Sequence, residues 1–216
     1  EGIPESCIRV TGNTVIDALD MIVDRVRKTP PPMPADFPVD RLMAARRMIL
    51  ITGHRRENFG AGFEAICHAI RDLAQQHPDC EFVYPVHLNP RVQEPVRRIL
   101  GDCSAVHLTA PLAYEQFVWA MDRAFLVLSD SGGVQEEAPH LGKPVLVLRN
   151  TTERPEAVEA GTCKLVGVDR AKIVSEASLL LTDRAAYDQM ARATNPFGDG
   201  RASIRIADAI QDFFIV

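Results

Sequence analysis

No stretch of the 216 residues approaches the roughly 18 consecutive apolar residues of a membrane span, and no signal-peptide pattern opens the chain. Basic surplus is missing too. Twenty-four Lys and Arg stand against 29 Asp and Glu, a net charge of −5 that gives no footprint for a nucleic-acid backbone. Cysteine is sparse: Cys7, Cys67, Cys80, Cys103 and Cys163 form no CxxC pair, and an odd number cannot all pair within one chain. A reduced, cytoplasmic protein is expected. There is no HExxH, no cysteine cluster and no GxSxG elbow, which leaves zinc hydrolysis and serine esterase chemistry without support. "GVQEEAPHLGKP" ends in Gly-Lys without the Ser/Thr of a P-loop, and "GAGF" lacks the third glycine of the dinucleotide fingerprint. The first residue is Glu1, not Met, and the sequence reads as a piece of something longer.

What is there is an alternation. "IRVTGNTVIDALDMIVDRVRK" reads as a short strand, a Gly-Asn turn and an amphipathic helix with Ile16, Leu19, Ile22, Val23 and Val26 on one stripe. Residues 29–38, "TPPPMPADFP", form a proline-rich linker, because proline removes a donor and restrains its neighbour. From there, short apolar runs at 47–53, 81–86, 105–108, 125–129, 144–148 and 163–166 alternate with helical patterns. That spacing predicts βαβ units: a Rossmann-like, doubly wound parallel sheet of order 3-2-1-4-5-6 over residues 39–195. Residues 1–28 read as the tail of a preceding domain with a connecting helix, and 196–216 as a closing helix.

In such a sheet the first and fourth strands meet at the switch point, and ligands bind outside their carboxyl ends. The first strand ends in "TGHRRENFG", the fourth in "SDSGGVQEE". Ser131, Gly132 and Gly133 would offer free backbone N–H groups at a helix start, where the dipole favours an anion and glycine admits a phosphate. The same residues also suit an ordinary strand-to-helix turn; their place at the switch point favours the anion cradle. Glu137, further along that helix, is placed to accept ribose hydroxyls. His54 and Arg55 follow the first strand, facing a phosphate or serving the fold. Arg154, in "TTERPE", is a surface ion-pair partner or a phosphate clamp. Phe117 shares a helix face with Val118 and Met121, where core packing is the default, and His87 in "PVHLNP" is by default a loop histidine bonded to backbone.

In this order, "VTGNTVIDAL", "TGHRRENFG", "PVHLNP", "SDSGGVQEEAPHLGKPVLVLRNTTERPEAVEAGT" and "NPFGDGRAS" resemble the non-hydrolysing UDP-N-acetylglucosamine 2-epimerases. The resemblance covers nearly the whole chain and corresponds to the C-terminal half of such an enzyme. It implies the C-terminal domain of a two-Rossmann-domain, glycosyltransferase-B-like fold, with UDP-sugar in the cleft between domains and the closing helix reaching towards the N-terminal one. The implied reaction is isomerisation of UDP-N-acetylglucosamine to UDP-N-acetylmannosamine, by eliminating UDP and adding it back to the other face, within cell-envelope polysaccharide synthesis. Carried over, the UDP-sugar contacts fall on His54, Phe117, Ser131, Gly132, Gly133, Glu137 and Arg154, with His54 in the catalytic role; a further contact position holds Leu112. Arg55 and His87 match positions of a second, activating UDP-N-acetylglucosamine. No cofactor and no metal are implied, and the full-length enzyme is expected to be a homodimer. The carboxylates that handle protons in this family belong to the N-terminal domain, so the chain alone is expected to be inactive. Three other readings share the fold: a UDP-sugar glycosyltransferase donor domain, a non-catalytic UDP-sugar-binding module and a hydrolysing epimerase.

Overall fold

The computed structural model describes residues 2–44 and 47–214. Among these, six strands form one parallel sheet: β1 (Arg47–Thr52), β2 (Cys80–Pro85), β3 (Val106–Thr109), β4 (Leu126–Ser129), β5 (Val145–Val147) and β6 (Cys163–Leu165). Their order is β3-β2-β1-β4-β5-β6, the doubly wound order expected from the alternation. β1 is central, with Leu50 opposite Val83 on one side and Val127 on the other.

Successive side chains of a strand point to opposite faces, and here that alternation builds two separate cores. Ile49 and Ile51, Phe82 and Tyr84, Leu126 and Leu128 enter one core, where α3 (Ala61–Gln76), α4 (Pro90–Leu100) and α8 (Arg170–Thr182) supply Phe63, Ile70, Val96 and Ile173. Met48 and Leu50, Val83, Val127 and Val145 enter the other, against α1 (Thr14–Lys28), α5 (Tyr114–Arg123) and α6 (Gly132–His140). Burial on both faces explains why the strands read as continuous apolar runs.

α1 starts where the Asn13 side chain accepts the Val15 N–H at 3.0 Å. Its buried residues are Ile16, Leu19, Val23 and Val26; of the expected stripe, Leu19, Val23 and Val26 enter the second core and Ile22 packs half-buried against it. Arg27 adds a two-point bond to Asp122 of α5, at 3.0 and 2.6 Å. The proline-rich segment crosses the domain surface and is tied at both ends: Pro32 O accepts from Gln116, and Asp36 accepts the Ala110 N–H. A short helix, α2 (Val39–Ala44), follows it.

One expectation fails. Residues 8–13 form no strand, because Val10 is 95% exposed and no neighbouring strand accepts its backbone. Instead Asn13 donates its N–H to Phe197 O, and Arg205 donates to Thr11 O. α7 (Pro155–Glu159) and α9 (Arg184–Ala191) complete the second half of the fold. The closing helix is α10 (Ala202–Phe214); Asp17 of α1 accepts its N–H groups at Ala202 and Ser203, while Ile204, Ile210, Phe213 and Phe214 stay exposed. Among the described residues no helix is long and apolar enough to cross a membrane.

Candidate functional site

β1 and β4 run side by side to their carboxyl ends, where Thr52 lies opposite Ser129 and their hydroxyl oxygens are 2.6 Å apart. Beyond this point the two chains separate into loops, and Asp130 ties the loops together. Its Oδ2 accepts the N–H of His54 at 2.9 Å, the N–H of Arg55 at 2.8 Å and the Asn58 amide at 3.3 Å. Asn58 also donates to Leu148 O at 3.0 Å, which adds the end of β5 to the same knot. Burial pushes the Asp130 carboxyl up, and the Arg55 N–H and the neighbouring His54 pull it back.

Ser129 Oγ accepts the Ser131 N–H at 3.0 Å and so turns the chain into α6. Ser131 stands at the N-cap in an extended conformation, yet its own hydroxyl makes no capping bond. First-turn N–H groups of a helix have no partner within it, so Gly132 and Gly133 present donors at the positive end of the α6 dipole. The space differs at the two glycines. A Cβ on Gly132 would come within 2.7 Å of Glu153 Oε1, whereas one on Gly133 meets nothing within 4 Å. Gly133→Ala is therefore expected to fold and to gain up to about 1 kcal/mol from helix propensity. Its methyl group would occupy the approach to the amides. Calorimetry should show weaker UDP binding in a protein of equal or higher melting temperature; unchanged affinity would place the anion elsewhere.

Glu137, on the same helix, is 9% exposed. Burial raises its carboxyl to about 7; a hydrogen bond from Tyr114 lowers it and the adjacent Glu136 raises it further. That bond runs from the Tyr114 hydroxyl to Glu137 Oε2 at 3.3 Å. Burial and Glu137 together push the Tyr114 phenol to about 12.

Arg154 makes an ion pair, with a buried acid rather than a surface one. Its Nε pairs with Glu136 Oε1, a buried carboxylate whose other oxygen accepts from Asn13 at 3.0 Å. The guanidinium is thus held at α6 by an internal acid, with Nη1 donating to Glu153 O at 3.0 Å. Arg55 reaches Glu153 at 3.3 Å, and Arg149 links Glu153 to Glu57, so alternating charges brace the loops after β1 and β5. The His54 and His87 rings stack, centroids 5.1 Å apart and planes at 14°. His87 Nδ1 also accepts the Asn89 N–H at 3.1 Å, the backbone bond expected of a loop histidine. Phe117 and Leu112 are half-buried against the second core, Phe117 one turn beyond Tyr114.

The structure therefore gathers His54, Arg55, His87 and Ser131–Gly133 at one edge of the sheet, with Glu137 and Arg154 along α6. Tyr114, Asn58 and Asp130 belong to this arrangement and carried no role in the sequence. A cleft of about 540 Å³ lies elsewhere, lined by Thr11, His140, Asn195, Asp199 and Arg205 among others. Its polar side chains already have partners, His140 in Asp20 at 2.7 Å and Arg205 in Asp199 through two bonds. Among the described residues no group of three or more His, Cys, Asp or Glu could hold a metal ion.

The sequence profile describing UDP-N-acetylglucosamine 2-epimerase matches residues 1–211. The chain belongs to the UDP-N-acetylglucosamine 2-epimerase family. The UDP-N-acetylglucosamine 2-epimerase of Escherichia coli K12 is 54% identical over 215 residues, 98% of this chain and 57% of the relative. The chain thus spans about half the length of the curated epimerases it matches. Among solved structures, the Neisseria meningitidis epimerase bound to UDP-GlcNAc has a TM-score of 0.86 at 43% identity, covering 97% of this chain and 57% of that one. The Methanocaldococcus jannaschii epimerase in complex with UDP-GlcNAc and UDP has a TM-score of 0.76 at 29% identity, over 97% and 56%. Family membership and the Rossmann-like α/β fold expected from the sequence both stand.

Proposed function

We propose that this chain is the C-terminal, UDP-binding half of an enzyme that interconverts UDP-N-acetylglucosamine and UDP-N-acetylmannosamine by eliminating UDP and adding it back. The observation that carries this reading is the uncapped turn Ser131–Gly133, open above Gly133, in a chain of the epimerase family. The diphosphate lies against the amides of Ser131, Gly132 and Gly133, the ribose bonds to Glu137 and the uridine lies towards Phe117. Breaking the C1–O bond sends its electron pair to the diphosphate, and donors fixed in advance stabilise that charge best. His54 and Arg154 supply the cationic part of that stabilisation.

An N-terminal domain supplies the other wall of the cleft and the base that removes the C2 proton. The exposed Ile204, Ile210, Phe213 and Phe214 of α10 support a covering domain on that side. Arg55 and His87, one bonded to Glu153 and one stacked on His54, sit where a second, activating UDP-sugar would touch the catalytic histidine. All five cysteines are free thiols, which supports a reducing, cytoplasmic setting.

Incubating the complete enzyme with UDP-N-acetylglucosamine and no sugar acceptor tests the reading. NMR should show UDP-N-acetylmannosamine accumulating to equilibrium. Turnover only after an acceptor is added, or release of free N-acetylmannosamine with UDP, would overturn it.

A further inference from the structure

Asp130 is fully buried, and its two oxygens have different fates. Oδ2 takes three donors, the N–H groups of His54 and Arg55 and the Asn58 amide. Oδ1 is buried and has no hydrogen-bond partner among the described residues. Leaving a buried carboxylate oxygen without a donor is costly, and such exceptions in a folded protein call for an explanation. The facing group is the His54 imidazole, with Nδ1 3.9 Å from Oδ1, slightly beyond hydrogen-bond reach. Catalytic hydrogen bonds are often long before the ligand arrives. His87 stacks on the face of this ring, centroids 5.1 Å apart and planes at 14°, and leaves the ring edge towards Oδ1.

We propose that Asp130 is a positioning residue for His54: Oδ1 accepts the Nδ1 proton, fixes the tautomer and turns Nε2 outwards. The diphosphate partner of Nε2 rests on the function proposed above; the Asp130–His54 pair itself does not. The order of residues explains how it is built. Asp130 directly precedes the cradle turn, and the backbone N–H groups it holds belong to His54 and its neighbour. One carboxylate thereby fixes both the loop and the ring on it. When the C1–O bond breaks, the electron pair passes to the diphosphate oxygen and an imidazolium Nε2–H donates a hydrogen bond to it.

The other charged and titratable groups around the ring act differently. Arg55 is engaged by Glu153, which Arg149 shares with Glu57. Tyr84, packed beneath, spends its hydroxyl on Gly53 O at 2.8 Å. His87 spends its Nδ1 on the Asn89 N–H at 3.1 Å, and the carboxylate facing the His54 ring is that of Asp130.

The test is the nitrogen NMR of the histidine side chains, with His54 assigned by loss of its signals in His54→Gln. In the unmodified chain at high pH, neutral His54 should carry its proton on Nδ1, against the usual preference for Nε2. Asp130→Asn keeps a carbonyl for the two backbone N–H groups but presents an NH₂ to the ring, so the tautomer should flip to Nε2–H. An Nε2–H tautomer in the unmodified chain, or no flip in a folded Asp130→Asn, overturns the proposal; if that variant does not fold, the unmodified chain alone decides. Adding UDP should then move the Nε2 resonance towards its imidazolium position. An Nδ1–H tautomer with Nε2 unmoved by UDP would leave the pair in place and sink the diphosphate reading instead.

Discussion

Glu137→Gln is expected to lose UDP affinity roughly 10- to 100-fold and, above pH 7, to melt at a higher temperature than the parent chain. The first effect follows from replacing charge-assisted bonds to two ribose hydroxyls with neutral ones, at about 1.4–2.8 kcal/mol. The second follows from burial, which raises this carboxyl from 4.5 to about 7. A folded-state value above the unfolded one stabilises the fold fully below pH 4.5, and that contribution is lost as pH rises to about 7. Above pH 7 the parent must ionise a buried group, while glutamine does not, and it keeps an oxygen for the Tyr114 hydroxyl. At about 1.4 kcal/mol for each unit of difference, the variant gains about 3 kcal/mol at pH 8 and almost nothing at pH 4.5. Melting curves across this range check it; a gap independent of pH would mean the carboxyl is not desolvated in solution. The same titration should strengthen nucleoside binding as pH rises through about 7, measured with uridine, which has no phosphate to titrate.

The isolated chain, while expected to bind UDP, should show no epimerisation and no exchange of the C2 proton. The acids near the cradle are already engaged, Glu137 by the Tyr114 hydroxyl and Glu153 by Arg55 and Arg149. Glu57 holds Arg149, Glu136 holds Arg154 and Asn13, and Asp130 is buried beneath three donors. A positioned base contributes about 10²–10⁴-fold, and closure of a second wall adds positioning and exclusion of water. NMR of UDP-N-acetylglucosamine with the pure chain in D₂O decides this. Deuterium at C2 would show that a base lies within these residues, and Glu57 and Glu136 would be the first to replace.

The sheet was legible because strands buried on both faces leave unbroken apolar runs, and the observed strands fall within a residue or two of those runs. The strand order then placed the loops after β1 and β4 together without any knowledge of side chains. Short-range signals were less informative. "IRV" reads as a strand by composition, yet a strand needs a partner and residues 8–10 have none. Val39–Ala44 and Pro155–Glu159 are too short for a helical period to show. At the site, glycines and charges were visible but their pairings were not. Whether Arg154 faces solvent or Glu136 depends on α6 and the Asn13 loop meeting, and these lie more than a hundred residues apart. Asp130 reads as one more acid in "SDSGG"; only its burial and its hold on His54 and Arg55 mark it as the organiser of the switch point.

UDP titrated into the ¹⁵N-labelled chain, with amide shifts followed residue by residue, tests most directly whether the β1–β4 switch point is a diphosphate cradle. The largest shifts are expected at Ser131, Gly132 and Gly133, with His54 and Glu137 moving at the same UDP concentration. Unmoved cradle amides, with the shifts concentrated instead around Thr11, Asn195, Asp199 and Arg205, would contradict it.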